Sequence, residues 1–383
     1  MPWKTVNTMD LKMQLITDFE TKSFSLTDLS QKYGISRPTA YKLIERYHQF
    51  GLEGLKEQSR APKTCPHKTP EEIRCLMIKE KLKNRKRGPR KIRAQLIRRY
   101  PGLRFPATSA FHYWLKKEGL VEKRKKRLHV PPYTEPFSEC KAPNDTWSID
   151  YKGQFHMKNG YVCYPLTVSD NYTRYLLACK ALSGPRHDPT KKCLEGIFRE
   201  YGLPKAIRSD NGVPFAGKTT GGLSRLSIWF IQQGIIPERI GKGCPQENGR
   251  HERMHRTLKN EALDEIAKNL KDQQKSFDIF RHDYNNDRPH EALNDKTPEE
   301  CYKKSHRPYV EQPRAPEYDR SYIVRRIKHC GEVNLMGRIF YVAHILAGQP
   351  IGIKEVADGI WQIQYYFYIL GSIDLRKNKF IRK

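Results

Sequence analysis

The spacing of apolar residues changes twice along this chain, near Thr146 and again past Arg314, and each change demands a different way of burying a core. Up to about residue 120 the spacing is helical. Met9, Leu11, Met13, Leu15, Ile16 and Phe19 mark a first helix over 9–20; Leu26, Leu29 and Tyr33 then give a short apolar face that Gly34 ends. Ser36 is a good N-cap for a following helix that tolerates Pro38 in its first turn. In that helix Ile35, Ala40, Leu43, Ile44 and Tyr47 face inward, while Arg37, Thr39, Lys42 and Arg46 stay outside. Two short helices joined by a Gly-containing turn, the second basic on its outer side, read as a helix-turn-helix whose outer face meets DNA.

Pro62, Pro66 and Pro70 amid basic residues mark a linker. A second helical unit follows, with helices expected from Glu71 to Lys83, from Pro89 to Tyr100 and from Ala107 onward, the last presenting Phe111, Trp114 and Leu115. It reads as a second helix-turn-helix or winged-helix-like domain. Lys123-Arg-Lys-Lys-Arg127 and Pro131-Pro132 form a basic linker after it.

From Thr146 the pattern becomes that of strands: Trp147 to Phe155, Tyr161 to Ser169 and Arg174 to Leu182, separated by the turn residues Asn159-Gly160 and Asp170-Asn171. This predicts an antiparallel meander. A helix over about Pro189–Tyr201, a strand ending near Asp210 and a further helix and strand complete an α/β core. Past Arg314 short strands return, punctuated by Gly331, Gly337, Gly348, Gly352 and Gly359, and suggest a small β-barrel. The expected boundaries are 1–62 and 67–122 for the helical domains, 123–140 for the basic linker, 141–310 for the core and 318–383 for the barrel.

Charge says what such a chain meets. Lys and Arg number 71 against 42 Asp and Glu, a formal net charge of +29, and a strongly basic protein pairs with a polyanion because each neutralised phosphate releases a counterion. No apolar run is long enough to span a membrane, and the start lacks the apolar stretch of a secretory signal. Nine singly scattered cysteines without a C-x-x-C pair predict reduced thiols in a cytosol rather than a disulfide or zinc framework.

Within the core two aspartates close strands: Asp150 after Trp147-Ser-Ile, and Asp210 after Ala206-Ile-Arg-Ser, with Asn211-Gly212 turning the chain. A lone strand-end Asp is usually a turn former. Two on adjacent strands can share a hard divalent cation, and a third carboxylate then completes a two-metal site. Glu247 and Glu252 are the candidates. Glu247 falls at a turn, whereas Glu252 falls in a helix with Arg256 and Lys259 at i+4 and i+7 on its face, the rigid setting that metal catalysis requires.

With Asp150, Ser209-Asp210-Asn211-Gly212, Asn248-Gly-x-x-Glu252-Arg and Tyr284-Asn-Asn-Asp-Arg-Pro-His-Glu-Ala-Leu293, the chain resembles the integrase-core (DDE) transposases of bacterial insertion sequences, relatives of retroviral integrase. The family's usual separation of its last Asp and Glu matches the 36 residues between Asp210 and Glu247 more nearly than the 41 between Asp210 and Glu252. The flanking residues match at Glu252.

The resemblance implies a multidomain protein: helix-turn-helix N-terminal domains, an RNase H-like catalytic core and a C-terminal β-barrel. It implies that Asp150, Asp210 and Glu252 are catalytic and hold two Mg²⁺ or Mn²⁺ ions. Water would cleave a phosphodiester at a transposon end, and the freed 3′-hydroxyl would attack target DNA without ATP or a covalent enzyme intermediate. Lys259 and Arg256 are its expected DNA contacts beside Arg37, Thr39, Lys42 and Arg46, with His290 a further candidate near the site. The implied partners are double-stranded DNA (transposon ends and target) and further copies of the chain on paired ends, in a cytoplasmic, nucleoid-associated setting. A membrane or a small-molecule substrate is not expected.

Three other functions fit parts of the sequence. A repressor with a dead core is disfavoured by the three carboxylates, whereas a nuclease that cuts without joining is not separated by sequence. His251-Glu-Arg-Met-His255 matches the H-E-x-x-H zinc-protease helix. Its basic surroundings (Arg250, Arg253, Arg256) and the absence of a metzincin extension argue against that reading.

Overall fold

A computed structural model describes residues 7–57, 69–122, 140–217, 223–241 and 245–382. The proline-rich stretch at 58–68 and the basic run at 123–127 with Pro131 and Pro132 lie outside the described residues. The chain divides into two compact units, residues 1–68 and 69–383.

The first unit holds α1 (Thr8–Glu20), α2 (Leu26–Lys32) and α3 (Arg37–Phe50). Ser25 and Asp28 cap α2 reciprocally, Gly34 takes the left-handed conformation (φ +62°) in the turn, and the Ser36 side chain caps α3. Leu15, Ile16, Ile44 and Leu55 form the core of the unit.

The second unit opens with α4 (Glu71–Lys83), α5 (Pro89–Arg99) and α6 (Thr108–Lys117), packed around Ile73, Met77, Ile92, Leu96, Phe105 and Phe111. Its centre is a mixed sheet built from β1 (Thr146–Tyr151), β2 (Phe155–His156), β3 (Val162–Asp170), β4 (Leu176–Leu182), β5 (Ala206–Ser209) and β6 (Ile236–Arg239). β1 lies between antiparallel β3 and parallel β5; β4 flanks β3, β6 flanks β5 in parallel, and two-residue β2 extends the start of β3.

Alternation along the strands sends side chains to two cores. Trp147, Ile149, Leu166 and Val168 pack with Leu194 and Phe198 of α7 (His187–Tyr201) and Leu226 and Phe230 of α8 (Arg225–Gln232). Cys163, Leu176 and Cys179 pack with Met254 and Leu258 of α9 (Gly249–Glu261) and Phe277 and Phe280 of α10 (Leu270–His282). A one-turn helix, α11 (Pro298–Cys301), ends the core.

The C-terminal strands are β7 (Ile323–Arg326), β8 (Glu332–Leu335), β9 (Arg338–Tyr341), β10 (Pro350–Ala357), β11 (Ile360–Tyr365), β12 (Tyr368–Asp374) and β13 (Lys379–Arg382). Five of them form an antiparallel sheet in the order β13–β12–β11–β10–β7, and β8–β9 form a separate ribbon. No ladder joins β7 to β13 among the described residues, so this segment is an open sheet with a ribbon, not the closed barrel expected. Irregularities at Glu355/Ala357 and Ile363/Gln364 interrupt the register, and the ribbon's Val333, Leu335 and Phe340 share one core with Ile351, Ile353 and Ile363 of the sheet. Ile228 and Ile231 of α8 join that core, which ties this sheet to the central one.

Candidate active site

The register of the central sheet brings the two sequence-distant aspartates together. β1 and β5 run parallel with Ile149 opposite Ser209, so the next residues, Asp150 and Asp210, leave the same ends of neighbouring strands. Asp150 also lies opposite Thr167 on antiparallel β3, which puts both side chains on the α9 face of the sheet. The Asp150 carboxyl is pushed up to about 7, first by burial, then by the charge of Asp210 and, more weakly, of Glu252. One oxygen of Asp210, Oδ1, is buried without a hydrogen-bond partner.

Gly212 sets the position of the second carboxylate. A Cβ there would stand 2.8 Å from Asp210 Oδ2, closer than two such atoms can approach. Asn211 pins the same turn by donating from its side chain to Ile240 O at 2.7 Å.

The two candidate glutamates have different surroundings. Glu247 lies in a 3₁₀ turn (Pro245–Asn248), where its Oε2 accepts the Gly241 N–H at 2.7 Å. Glu252 stands in the first turn of α9, exposed, with its charge acting on Asp150. Arg256 and Lys259 are exposed on the same helix. Among the described residues no three His, Cys, Asp or Glu side chains are gathered closely enough to hold a metal ion as they stand.

His251 and His255 hold α9 in place. Both are buried, and both Nε2 atoms meet the Thr167 hydroxyl, at 2.8 and 2.7 Å; His251 Nδ1 meets Ser169 Oγ at 2.8 Å. Thr167 Oγ donates in turn to Asp150 O at 3.1 Å. A hydroxyl has one proton, so the assignment that satisfies every group protonates both Nε2 atoms and lets His251 Nδ1 accept from Ser169. Burial lowers both imidazoles, to about 3 for His251 and about 2 for His255, which keeps them neutral. His255 Nδ1 stands 3.7 Å from Asp150 Oδ2, beyond hydrogen-bond reach. The H-E-x-x-H pair is therefore spent on the sheet, and the glutamate between them is exposed.

The helix-turn-helix candidates divide. Arg37, Thr39 and Lys42 are exposed on α3, with Arg37 bonded to the Thr27 hydroxyl and Thr39 Oγ1 2.8 Å from Ser36 Oγ. Arg46 is half-buried instead: it donates to Lys56 O at 2.6 Å and its Nε is buried without a partner, because the turn after α3 folds back over it.

Residues 141–245 and 233–298 each match an integrase core domain family, and residues 14–63 match a helix-turn-helix domain family. The 31.7 kDa protein of insertion element IS407 from Burkholderia multivorans is 31% identical over 196 residues, which is 51% of this chain and 68% of that protein. The chain belongs to the integrase-core proteins of insertion elements. The integrase-core relation extends to the 39.2 kDa protein of insertion element IS476 from Xanthomonas euvesicatoria, 24% identical over 70% of this chain and 75% of that protein. It also reaches the Gag-Pol polyprotein of baboon endogenous virus, 35% identical over 30% of this chain but only 6% of the polyprotein. Among solved structures, the HTLV-2 integrase catalytic core domain in complex with magnesium covers 43% of the chain and 100% of its own, at 16% identity and a TM-score of 0.34.

The groups that position the carboxylates come from the fold. No motif singles out Thr167 or Ser169; Gly212 is legible only as a turn residue, and His251 and His255 only as a zinc-protease match that their basic surroundings disfavour. The available signal was the period-2 alternation of β3, which puts Thr167 and Ser169 on the face opposite Leu166 and Val168.

Proposed function

We propose that the chain is a transposase that binds the terminal repeats of its element, cleaves DNA strands there and joins them to target DNA. The observation that carries this is the registered pair Asp150–Asp210 at neighbouring strand ends, with Glu252 acting on Asp150 from α9. The donor set fits a hard divalent cation: all three groups are carboxylates, Asp210 Oδ1 is buried and unpartnered, and burial, with the charges of Asp210 and Glu252 adding, raises Asp150. Asp150, Asp210 and Glu252 would hold two Mg²⁺ or Mn²⁺ ions, which when bound activate the attacking oxygen and stabilise the leaving one.

The rest is done by the chain's own residues in an RNase H-like core. The aspartates, fixed by strand register and Gly212, form the rigid side of the site, and exposed Glu252 the adjustable side. Lys259 and Arg256 bind phosphate beside it, and Arg37, Thr39 and Lys42 present a second DNA-contacting face. A phosphodiester of the element end is hydrolysed, leaving a 3′-hydroxyl, and this oxygen displaces a 3′-oxygen in target DNA. One P–O bond forms as another breaks, so neither ATP nor a covalent enzyme intermediate enters. Two ends must be held at once, which calls for at least two copies of the chain.

The test is a cleavage and joining assay on DNA carrying the element's own ends, with Mg²⁺ or Mn²⁺. Asp150→Asn, Asp210→Asn and Glu252→Gln should each abolish product while DNA binding persists, and Glu247→Gln should keep activity. Cleavage without joining would make the chain a nuclease, and binding without cleavage a repressor. Loss of activity in Glu247→Gln but not in Glu252→Gln would move the third ligand.

A further inference from the structure

We infer that a phosphate-binding subsite for the DNA backbone lies where the second helical domain meets the core, made by Lys91 of α5, Arg174 of the β3–β4 turn, Arg250 and Arg253 of α9, and Arg288 and His290. The inference rests on the reading that the chain acts on DNA, and it assigns a place where the backbone is held.

Opposite charges dock the helical domain here and leave a surplus. Buried Arg87 pairs with Asp283, Arg90 bonds Glu291 at 2.5 Å and Asp295 at 3.2 Å, and Arg98 pairs with Glu300 at 3.0 Å. These contacts pair Asp283, Glu291, Asp295 and Glu300 with the helical domain. Arg288 has Glu261 at 2.5 Å. The Lys91 ammonium and the Arg253 guanidinium make no hydrogen bond or ion pair among the described residues. Among the described residues the guanidiniums of Arg174 and Arg250 bond one shared backbone oxygen: both Nη1 atoms converge on Asn171 O, Arg250 at 3.1 Å. Two guanidiniums aimed at one carbonyl are underpaired, since each carries five donors. His290 packs edge-on against Tyr284 at 4.9 Å, with its Nε2 buried and unpartnered.

The cations also feel one another. Lys91 is pushed down to about 8 by burial and then by Arg288, with Arg87 and Arg253 adding and only Glu261 opposing. Arg174 falls to about 10 through burial and the charge of Arg250, with a smaller push from Arg253. His290 falls to about 3, through burial and then Lys91, Arg288 and Arg174. Lys91 and Arg174 are half-buried with no carboxylate bonded to them among the described residues, which is unfavourable in the free protein, and a phosphate between them removes the penalty. Arg250 and Arg253 flank Glu252 on α9, so a strand lying over the cluster runs on towards the carboxylates.

The experiment titrates the full chain with a labelled DNA duplex of arbitrary sequence, since phosphate binding is sequence-independent, over salt from about 50 to 200 mM. Lys91→Gln should flatten the slope of log K against log salt by about 1 and weaken binding. It should also raise the thermal midpoint of the free protein, because the underpaired charge is gone. Arg253→Gln, on an exposed helix position, should flatten the slope likewise and serves if Lys91→Gln fails to fold. Unchanged slopes in folded variants would overturn the subsite. So would inorganic phosphate raising the wild-type midpoint but not that of Lys91→Gln while DNA slopes stay equal, which would mark a free-anion site. Asp150→Asn should keep the wild-type slope: if DNA chemistry is never found but the Lys91 slope changes, the subsite stands and the cut-and-join reading falls.

Discussion

At the scale of single residues, the acidic side chains are where they are because of neighbours that carry no charge. Gly212 is the clearest case, since any Cβ there collides with the carboxylate of Asp210. Gly212→Ala should lower the single-turnover rate of strand cleavage roughly tenfold to a hundredfold, the effect of displacing a reacting group by a fraction of an ångström to an ångström. The thermal midpoint should stay near that of the wild type, because the turn is at the surface and no packed apolar group is lost. A variant with wild-type rate would show that Asp210 tolerates the shift and that its position is not set here. Asp170, the other strand-end aspartate, reads as a turn former and is one: it accepts from Thr173 N, the Thr173 hydroxyl and Asn144 N.

At the scale of elements, the question is how α9 is held so that Glu252 keeps its place over the strand ends. Its buried face, His251, Met254, His255 and Leu258, combines apolar packing with two neutral imidazoles that share one hydroxyl on β3. Thr167→Val keeps the shape of that side chain and removes its hydrogen bonds, leaving two imidazole N–H groups unpaired. Each buried unpaired group costs about 1–3 kcal/mol, so a loss on the order of 2–4 kcal/mol is expected in urea unfolding. Thr167→Ser restores the hydroxyl and should recover most of it. Because Thr167 touches both the helix and the Asp150 backbone, Thr167→Val should also raise the metal concentration needed for half-maximal cleavage. An equal loss in the Ser and Val variants would assign the effect to packing of the methyl group instead.

At the scale of the whole molecule, the second compact unit unites a helical domain, the central sheet and the C-terminal strands through a few specific bridges. Arg87 is one of them, almost fully buried and paired with Asp283, while the Lys81 ammonium holds its backbone carbonyl at 2.8 Å. Asp283 is one-third exposed, which places the cost of breaking the pair near the low end for buried ion pairs, about 2–3 kcal/mol. Arg87→Ala should therefore lower stability by that amount, and calorimetry should show residues 69–122 melting apart from the core. A single unshifted transition would mean that the apolar contacts alone couple the two. At the C-terminal end, α8 serves two cores at once, with Leu226 and Phe230 in the central one and Ile228 and Ile231 in the other. Among the described residues no helix is long and apolar enough to cross a membrane.

What the sequence determined by itself was whatever depends on local order. The helices capped by Ser25 and Ser36, the turn at Gly34, the strands from Thr146 and the helix carrying Glu252 follow from spacing and capping, and the structure has all of them. The excess of basic residues, 71 against 42 acidic, predicts a polyanion partner without any fold. Tertiary structure alone decided what depends on contacts between distant segments. Registers that no local pattern specifies align Asp150 with Asp210 and put Thr167 against two histidines 84 and 88 residues away. The same is true of the unclosed C-terminal sheet, because closure depends on whether its first and last strands reach each other. It is true also of the cluster around Lys91, whose cations lie on four separate stretches of chain, three gathered by the core and the fourth added when α5 docks on it.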